Sequence, residues 1–138
     1  MENMEELTGL LIEFYERFSS WEQGVVRETG LTLPQMHTLE IIGATGNLRM
    51  KEVAEKMGVT TGSLTVLVDR LVRAGLVERK PDEKDRRSIR VGLTPEGRKH
   101  FEGHHLLHLQ LSQDIAGALT PEEAERFPQM LTKIMAQF

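Results

Sequence analysis

No cysteine occurs among the 138 residues, which excludes disulfides, a thiol redox switch and thiolate metal ligands. No run of 18 apolar residues occurs either, and the first 20 residues carry five glutamates. Neither a membrane span nor a secretory signal is therefore expected, and the expected compartment is the cytoplasm. Missing too are an HExxH motif, a Gly-rich phosphate loop and a nucleophile with a paired base, so enzyme chemistry is not expected. The length suits one domain that buries about two-thirds of its unfolded surface.

A net charge of −4 argues against a polyanionic partner until it is divided along the chain. Residues 1–48 hold two basic and eight acidic side chains, residues 49–99 thirteen and eight, and residues 100–138 two and five. Positive charge is thus confined to the middle, where counterion release from phosphates would drive binding to nucleic acid. The acidic ends are expected to face away from it.

The same middle segment reads as helix, turn, helix, strand, charged tip and strand. Lys51 to Met57 carries Val53, Ala54 and Met57 at helical spacing, and Gly58 breaks it. Farther on, Leu64, Leu67, Val68, Leu71 and Val72 recur at three- and four-residue steps, one buried face of a second helix. Thr60 or Thr61 is placed to cap its start, and Gly75 to end it in the left-handed conformation. Beyond Leu76-Val77-Glu78 lies the charged run Arg79 to Arg87, after which Ile89, Val91 and Leu93 alternate with Ser88, Arg90 and Gly92. That is a hairpin with a polar tip. Two helices across a tight turn, followed by such a hairpin, make a winged helix-turn-helix, whose second helix enters the major groove of duplex DNA.

Geometry assigns roles within this segment. Thr60, Thr61, Ser63 and Thr65 occupy the first turns of the second helix, where hydroxyls either approach base edges and phosphates or simply cap and solvate the helix. Arg70 and Arg73, farther along, either meet phosphates or belong to a solvated face. Lys84, Asp85, Arg86 and Arg87 form the charged wing tip. Of these, Arg86 and Arg87 suit a narrow minor groove, whose negative potential favours guanidinium groups.

The segments Val68-Asp69-Arg70-Leu71, Gly75-Leu76-Val77-Glu78-Arg79, Asp85-Arg86-Arg87 and Leu93-Thr94-Pro95-Glu96-Gly97 resemble the MarR family of bacterial and archaeal transcriptional regulators, and the likeness extends more loosely over the whole chain. The resemblance implies a mainly α fold with a small β-hairpin wing, as one MarR-like domain over residues 1–138. A winged-helix DNA-binding lobe would span about 32–94, with dimerisation helices over about 1–30 and 95–138. It further implies a homodimer that binds double-stranded DNA sequence-specifically, repression as its output, Arg87 as the minor-groove residue and Asp85 as the brace of the wing. Val66 stands where relatives carry a polar or basic groove residue, and Met50 where a capping Ser or Thr is usual. Base preference is therefore not carried over.

The flanks carry matching signals. Leu7, Leu10, Leu11, Phe14, Tyr15 and Phe18 make an apolar stripe on an acidic helix. Thr32-Leu33-Pro34-Gln35 opens a second helix with a capping box, continuing through Leu39, Ile41 and Ile42. Thr94-Pro95-Glu96 opens a long helix reaching about Leu119, and Thr120-Pro121-Glu122-Glu123 opens another that carries Ala124, Phe127, Leu131, Ile134 and Met135 around an internal Pro128. One lobe of this size hides too few of these apolar residues, so pairing with an identical chain is the economical explanation. A two-fold dimer presents its recognition helices to half-sites about 10 bp apart.

Four of the five histidines, His100, His104, His105 and His108, fall in one stretch, and the fifth is His37. His100, His104 and His108 share one helix face. Imidazoles at i and i+4 lie about 6 Å apart along the axis and can chelate one ion; solvated helix positions are the other reading. The chain also resembles the zinc-responsive branch of the MarR family, at Gln35-Met36-His37 and at the tenth and fourteenth residues after Thr94. That resemblance implies a zinc site of His37, His104 and His108 with a first-helix carboxylate. The branch's own glutamate aligns with Ser19, leaving Glu22 or Glu16, one turn to either side. Its second site, which includes a cysteine, aligns with Val25, Met36 and Gly103 and is not expected. Zinc would then be a co-repressor that fixes the spacing of the recognition helices. The commoner family mode is the alternative: an organic anion or phenolic compound enters a cleft lined by Phe14, Tyr15, Trp21, Met36 and His37 and loosens the grip on DNA. A metal-dependent hydrolase is the reading from another class, and it leaves the charged wing without a purpose.

Overall fold

The computed structural model describes residues 2–85 and 87–138; Arg86, a predicted minor-groove residue, lies outside the described residues. The elements are α1 (Glu2–Arg27), α2 (Leu33–Thr45), β1 (Leu48–Arg49), α3 (Met50–Met57), α4 (Thr61–Arg73), β2 (Val77–Pro81), β3 (Ile89–Leu93), α5 (Pro95–Gly117) and α6 (Pro121–Met135). The chain divides into two compact units, one reaching to His104 and the other running from His105 to Phe138.

In the first unit each helix boundary has a local chemical cause. At α2 the Thr32 hydroxyl accepts the Gln35 N–H at 3.2 Å while Gln35 Oε1 accepts the Thr32 N–H at 3.0 Å, a capping box. Gly58, with φ of 68°, ends α3 in the left-handed region, which a side chain would penalise. Thr60 caps α4 by accepting the Ser63 N–H at 3.1 Å. From α4, Leu64, Val68 and Leu71 enter a core with Met36, Leu39 and Ile42 of α2, Val53 of α3 and Val77 and Val91 of the sheet. Each such side chain contributes roughly 1.5–3 kcal/mol on burial, so this cluster holds the helix-turn-helix together.

The sheet has three antiparallel strands in the order β1-β3-β2, one more than the expected hairpin. Leu48 lies opposite Val91, and Arg49 opposite Arg90. A two-residue strand is too short to display period-two alternation, so its pattern carries no signal. The β2–β3 ladder runs from the Val77–Leu93 pair at its base to Pro81–Ile89 near the tip.

The Leu-Thr-Pro-Glu-Gly segment joins the wing to α5. The Thr94 hydroxyl donates to the Gly75 carbonyl at 2.6 Å and accepts the Gly97 N–H at 3.0 Å. The Thr94 N–H donates to the Leu76 carbonyl at 3.1 Å, and Gly97 seats against that same oxygen, where a Cβ would collide. One turn on, the Phe101 ring lies over Gly43 of α2. These contacts hold the first turns of α5 on the lobe, so the division falls within α5 rather than near residue 94.

The second unit comprises the rest of α5 and α6. Thr120 and Glu123 form a capping box at the start of α6, and Pro128 lies inside the helix. No residue of α6 is buried, and Leu131, Ile134 and Met135 are exposed. In the first unit α1 likewise exposes Leu7, Leu10, Leu11, Phe14 and Tyr15. No helix among the described residues is long and apolar enough to cross a membrane.

Candidate nucleic-acid interface and metal-ligating cluster

Because α4 turns Leu64, Val68 and Leu71 inward, Thr61, Ser63, Thr65, Val66, Arg70 and Arg73 are left on its exposed side. Thr60 serves as the helix cap, and its hydroxyl also donates to Ser63 Oγ at 3.1 Å. Thr65 donates back to the Thr61 carbonyl at 2.9 Å. Asp69 forms an ion pair with Arg79 of β2, tying this helix to the wing.

The wing is built on Asp82. Only 4% exposed, it accepts the Lys84 N–H at Oδ1 (3.0 Å), while its Oδ2 meets Arg49 Nε at 3.0 Å, Arg49 Nη2 at 2.9 Å and Arg90 Nε at 3.4 Å. The Lys84 amide first, and then the two guanidinium groups, hold its carboxyl below the usual carboxylate range against the opposing effect of burial. Nearer the tip, Asp85 Oδ1 accepts the Arg87 N–H at 3.0 Å and Oδ2 accepts the Ser88 hydroxyl at 3.2 Å. The Asp82 N–H donates to the Ser88 carbonyl at 3.1 Å. Lys84 and Arg87 stand exposed on the tip that these bonds fold.

A second cluster lies away from the wing, where α1, α2 and α5 meet in the first unit. His104 of α5 is 3% exposed. Its Nε2 lies 2.8 Å from Glu22 Oε1 of α1 and 3.2 Å from Glu40 Oε1 of α2. The ligand atoms of these three residues fall within 4.8 Å of one another. An imidazole nitrogen carries at most one proton, so Nε2 cannot give each carboxylate its own hydrogen bond. Helix periodicity sets His108 one turn beyond His104 along α5.

The MarR family pattern matches residues 31–89. The HTH-type transcriptional regulator YfiV of Bacillus subtilis is 38% identical over 96 residues, which cover 69% of this chain and 59% of that protein. The multiple antibiotic resistance protein MarR of Salmonella typhimurium is 33% identical over 106 residues, covering 76% of this chain and 74% of that one. The chain belongs to the MarR family. A MarR family protein from Bacillus stearothermophilus has the same fold, with a TM-score of 0.87 at 25% identity over 99% of this chain and 95% of that one. The mainly helical fold with a small antiparallel wing is thus that of the MarR-family winged helix.

Within the MarR fold the residues named from sequence fall into groups. Thr60, Thr61, Ser63, Thr65, Arg70 and Arg73 lie on α4 or at its cap, and Lys84, Asp85 and Arg87 lie on the wing tip. The sequence pattern does not point to Arg49, Asp82 and Arg90 as a group, because only the pairing of β1 with β3 sets two guanidinium groups beside one carboxylate. Of the zinc-branch residues, Glu22 and His104 come together, and Glu40 joins them unannounced. His37 is exposed, as is Glu16, and neither belongs to this group. Helix phase is the reason: at about 100° per residue, His37 stands about 100° around α2 from buried Met36, whereas Glu40 stands only about 40° away. A carboxylate at the edge of a buried stripe was the available signal for Glu40. Among the expected cleft residues, Met36 is wholly buried and Tyr15 is 72% exposed. Trp21 meets Phe18 edge-on, and Phe18 meets Phe14 at a tilt, so this part of α1 packs aromatic on aromatic.

Proposed function

We propose that the chain is a homodimeric, sequence-specific double-stranded DNA-binding regulator that acts as a repressor. The carrying observation is the exposed, hydroxyl-lined face of α4 beside a basic wing held from beneath by Asp82 and Asp85. In this reading α4 enters the major groove, with Thr61, Ser63 and Thr65 toward base edges and Arg70 and Arg73 toward phosphates. Lys84 and Arg87 follow the wing into the adjacent minor groove. The exposed apolar faces of α1 and α6 supply the surfaces that pair with a second copy. Family membership supports a regulator over a metal-dependent hydrolase. A gel-shift titration against the chain's own promoter region tests this reading; saturable binding that weakens steeply with salt is expected. No binding at low ionic strength, with and without added zinc, would overturn it.

The effector in this reading is a metal ion, zinc by the family resemblance, acting as co-repressor. Two carboxylates gathered on one buried imidazole attract a cation and repel an organic anion, which favours metal over the phenolic or anionic ligand. An ion shifts DNA affinity only through its differential affinity for the two states of the protein. Zinc should therefore tighten operator binding in a gel shift run with and without chelator. Identical affinities in the two lanes would remove metal from the regulatory account.

A further inference from the structure

Resting on that reading of a metal effector, we infer that the ion's donors are Glu22, Glu40 and His104, with Glu40 supplying what the zinc-branch pattern assigns to His37. The first argument is distance. Ligand atoms bound to one ion at about 2.0–2.1 Å in a tetrahedron stand about 3.3 Å from each other. His104 Nε2 lies 2.8 Å and 3.2 Å from its two carboxylate oxygens, close to such an edge. Small side-chain rotations convert this contact set into a coordination shell.

Charge is the second argument. Whether the ring is neutral or protonated, two carboxylates leave the cluster net negative, around a His104 side chain only 1% exposed and with Glu22 at 20% and Glu40 at 35%. One Nε2 proton shared between two carboxylates leaves their mutual repulsion largely uncompensated. A divalent cation at the point of convergence neutralises both. On binding, the Nε2 lone pair turns to the ion, and its proton passes to Nδ1 or to solvent.

Anchorage is the third. Glu22 stands one turn before buried Val26 on α1, Glu40 directly follows buried Leu39 on α2, and His104 lies three residues beyond Phe101, whose ring packs on Gly43. Each donor is thus oriented by an adjacent packed residue on a separate helix. The donor set also defines the class of ion. One imidazole with two carboxylates, in a chain without cysteine, suits divalent first-row ions such as Zn²⁺ and Mn²⁺, rather than thiolate-seeking Cu⁺ or the oxygen-seeking Mg²⁺ and Ca²⁺. An ion there fastens α1 and α5 to α2, the helix that opens the DNA-binding lobe.

The test uses the full chain stripped with chelator, with zinc chloride as the probe, read by titration calorimetry, metal content after gel filtration, and thermal unfolding. Wild type and His37→Ala should each bind one ion per chain and gain stability with zinc. Glu40→Gln and His104→Ala should lose more than about tenfold in zinc affinity, together with the zinc-dependent rise in Tm, while keeping the helical circular dichroism of the metal-free chain. Glu40→Asp, which retains the carboxylate, should recover part of the loss. Loss of zinc binding by His37→Ala with retention by Glu40→Gln would overturn the assignment, as would the lack of saturable zinc binding by wild type. Magnesium matching zinc at equal concentration would also overturn it, since the imidazole would then not be a ligand. A parallel gel shift keeps the two readings separate: an intact zinc site on a chain that ignores DNA refutes the regulator, and the converse refutes the site.

Discussion

Asp82 and Arg49 meet twice at the foot of the wing, Oδ2 accepting Nε at 3.0 Å and Nη2 at 2.9 Å. Arg49 directly precedes α3 and pairs across the sheet with Arg90, whose Nη1 donates to the Asn47 carbonyl at 3.1 Å. One buried carboxylate therefore connects the wing to the start of the helix-turn-helix. A group so placed fixes the angle at which the wing leaves the lobe, and with it the reach of Arg87.

Replacing this carboxylate should loosen both fold and function. Asp82→Asn is expected to lower Tm and weaken operator affinity while leaving far-UV circular dichroism close to wild type. The folded carboxyl is held below its ordinary value of 3.8, so its contribution is fully present above that value and is lost as pH falls through the lower, folded one. The gap between wild-type and Asp82→Asn urea midpoints should thus be constant from neutral pH to about 5, and close only below about 4. A gap that closes between pH 7 and 5 would contradict the ion-pair account.

Two glycines of α5 should respond oppositely to alanine. Gly97 abuts the Leu76 carbonyl, whereas Gly103 has open space around it on an exposed turn. Gly97→Ala is expected to cost roughly 1–3 kcal/mol or more, because backbone must move. Gly103→Ala should gain roughly 0.5–1 kcal/mol of helix propensity. Urea unfolding of both variants checks the pair, and equal midpoints would show that the joint between Leu76 and α5 is not tight.

Arg87 is exposed, and only its backbone N–H is used in folding the tip. Arg87→Ala should leave Tm unchanged and weaken DNA binding, lowering the slope of log affinity against log salt by about 0.9 for one lost phosphate contact. Unchanged affinity at two salt concentrations would remove the wing tip from the interface.

Dimer formation is open to a charge test. Leu11 is 58% exposed on α1, between Leu10 and Phe14, which are also exposed. Leu11→Glu should shift the sedimenting species toward monomer and weaken DNA binding, since one recognition helix then meets one half-site. A variant that sediments as a dimer at the lowest measurable concentration would move the interface elsewhere.

Much of the fold was legible because its causes are local. Thr32 with Gln35, Thr60 with Ser63, and Thr120 with Glu123 each act across three residues. The spacing of Leu64, Val68 and Leu71 names the buried face of α4 directly. Strand β1 escaped because two residues carry no period, and Glu40 because a carboxylate near a buried stripe reads as solvated until its partners are known.

By itself, then, the sequence determined where helices start and stop, which face of α4 is buried, and that basic charge collects between residues 49 and 99, since each depends on neighbours within a turn or on simple position along the chain. Tertiary structure decided which charges meet. Asp82 and Arg49 are 33 residues apart, and Glu22 and His104 are 82 apart; strand register brings the first pair together and the rotational phase of packed helices the second. A shift of one residue in either would point those side chains elsewhere while leaving every local signal intact.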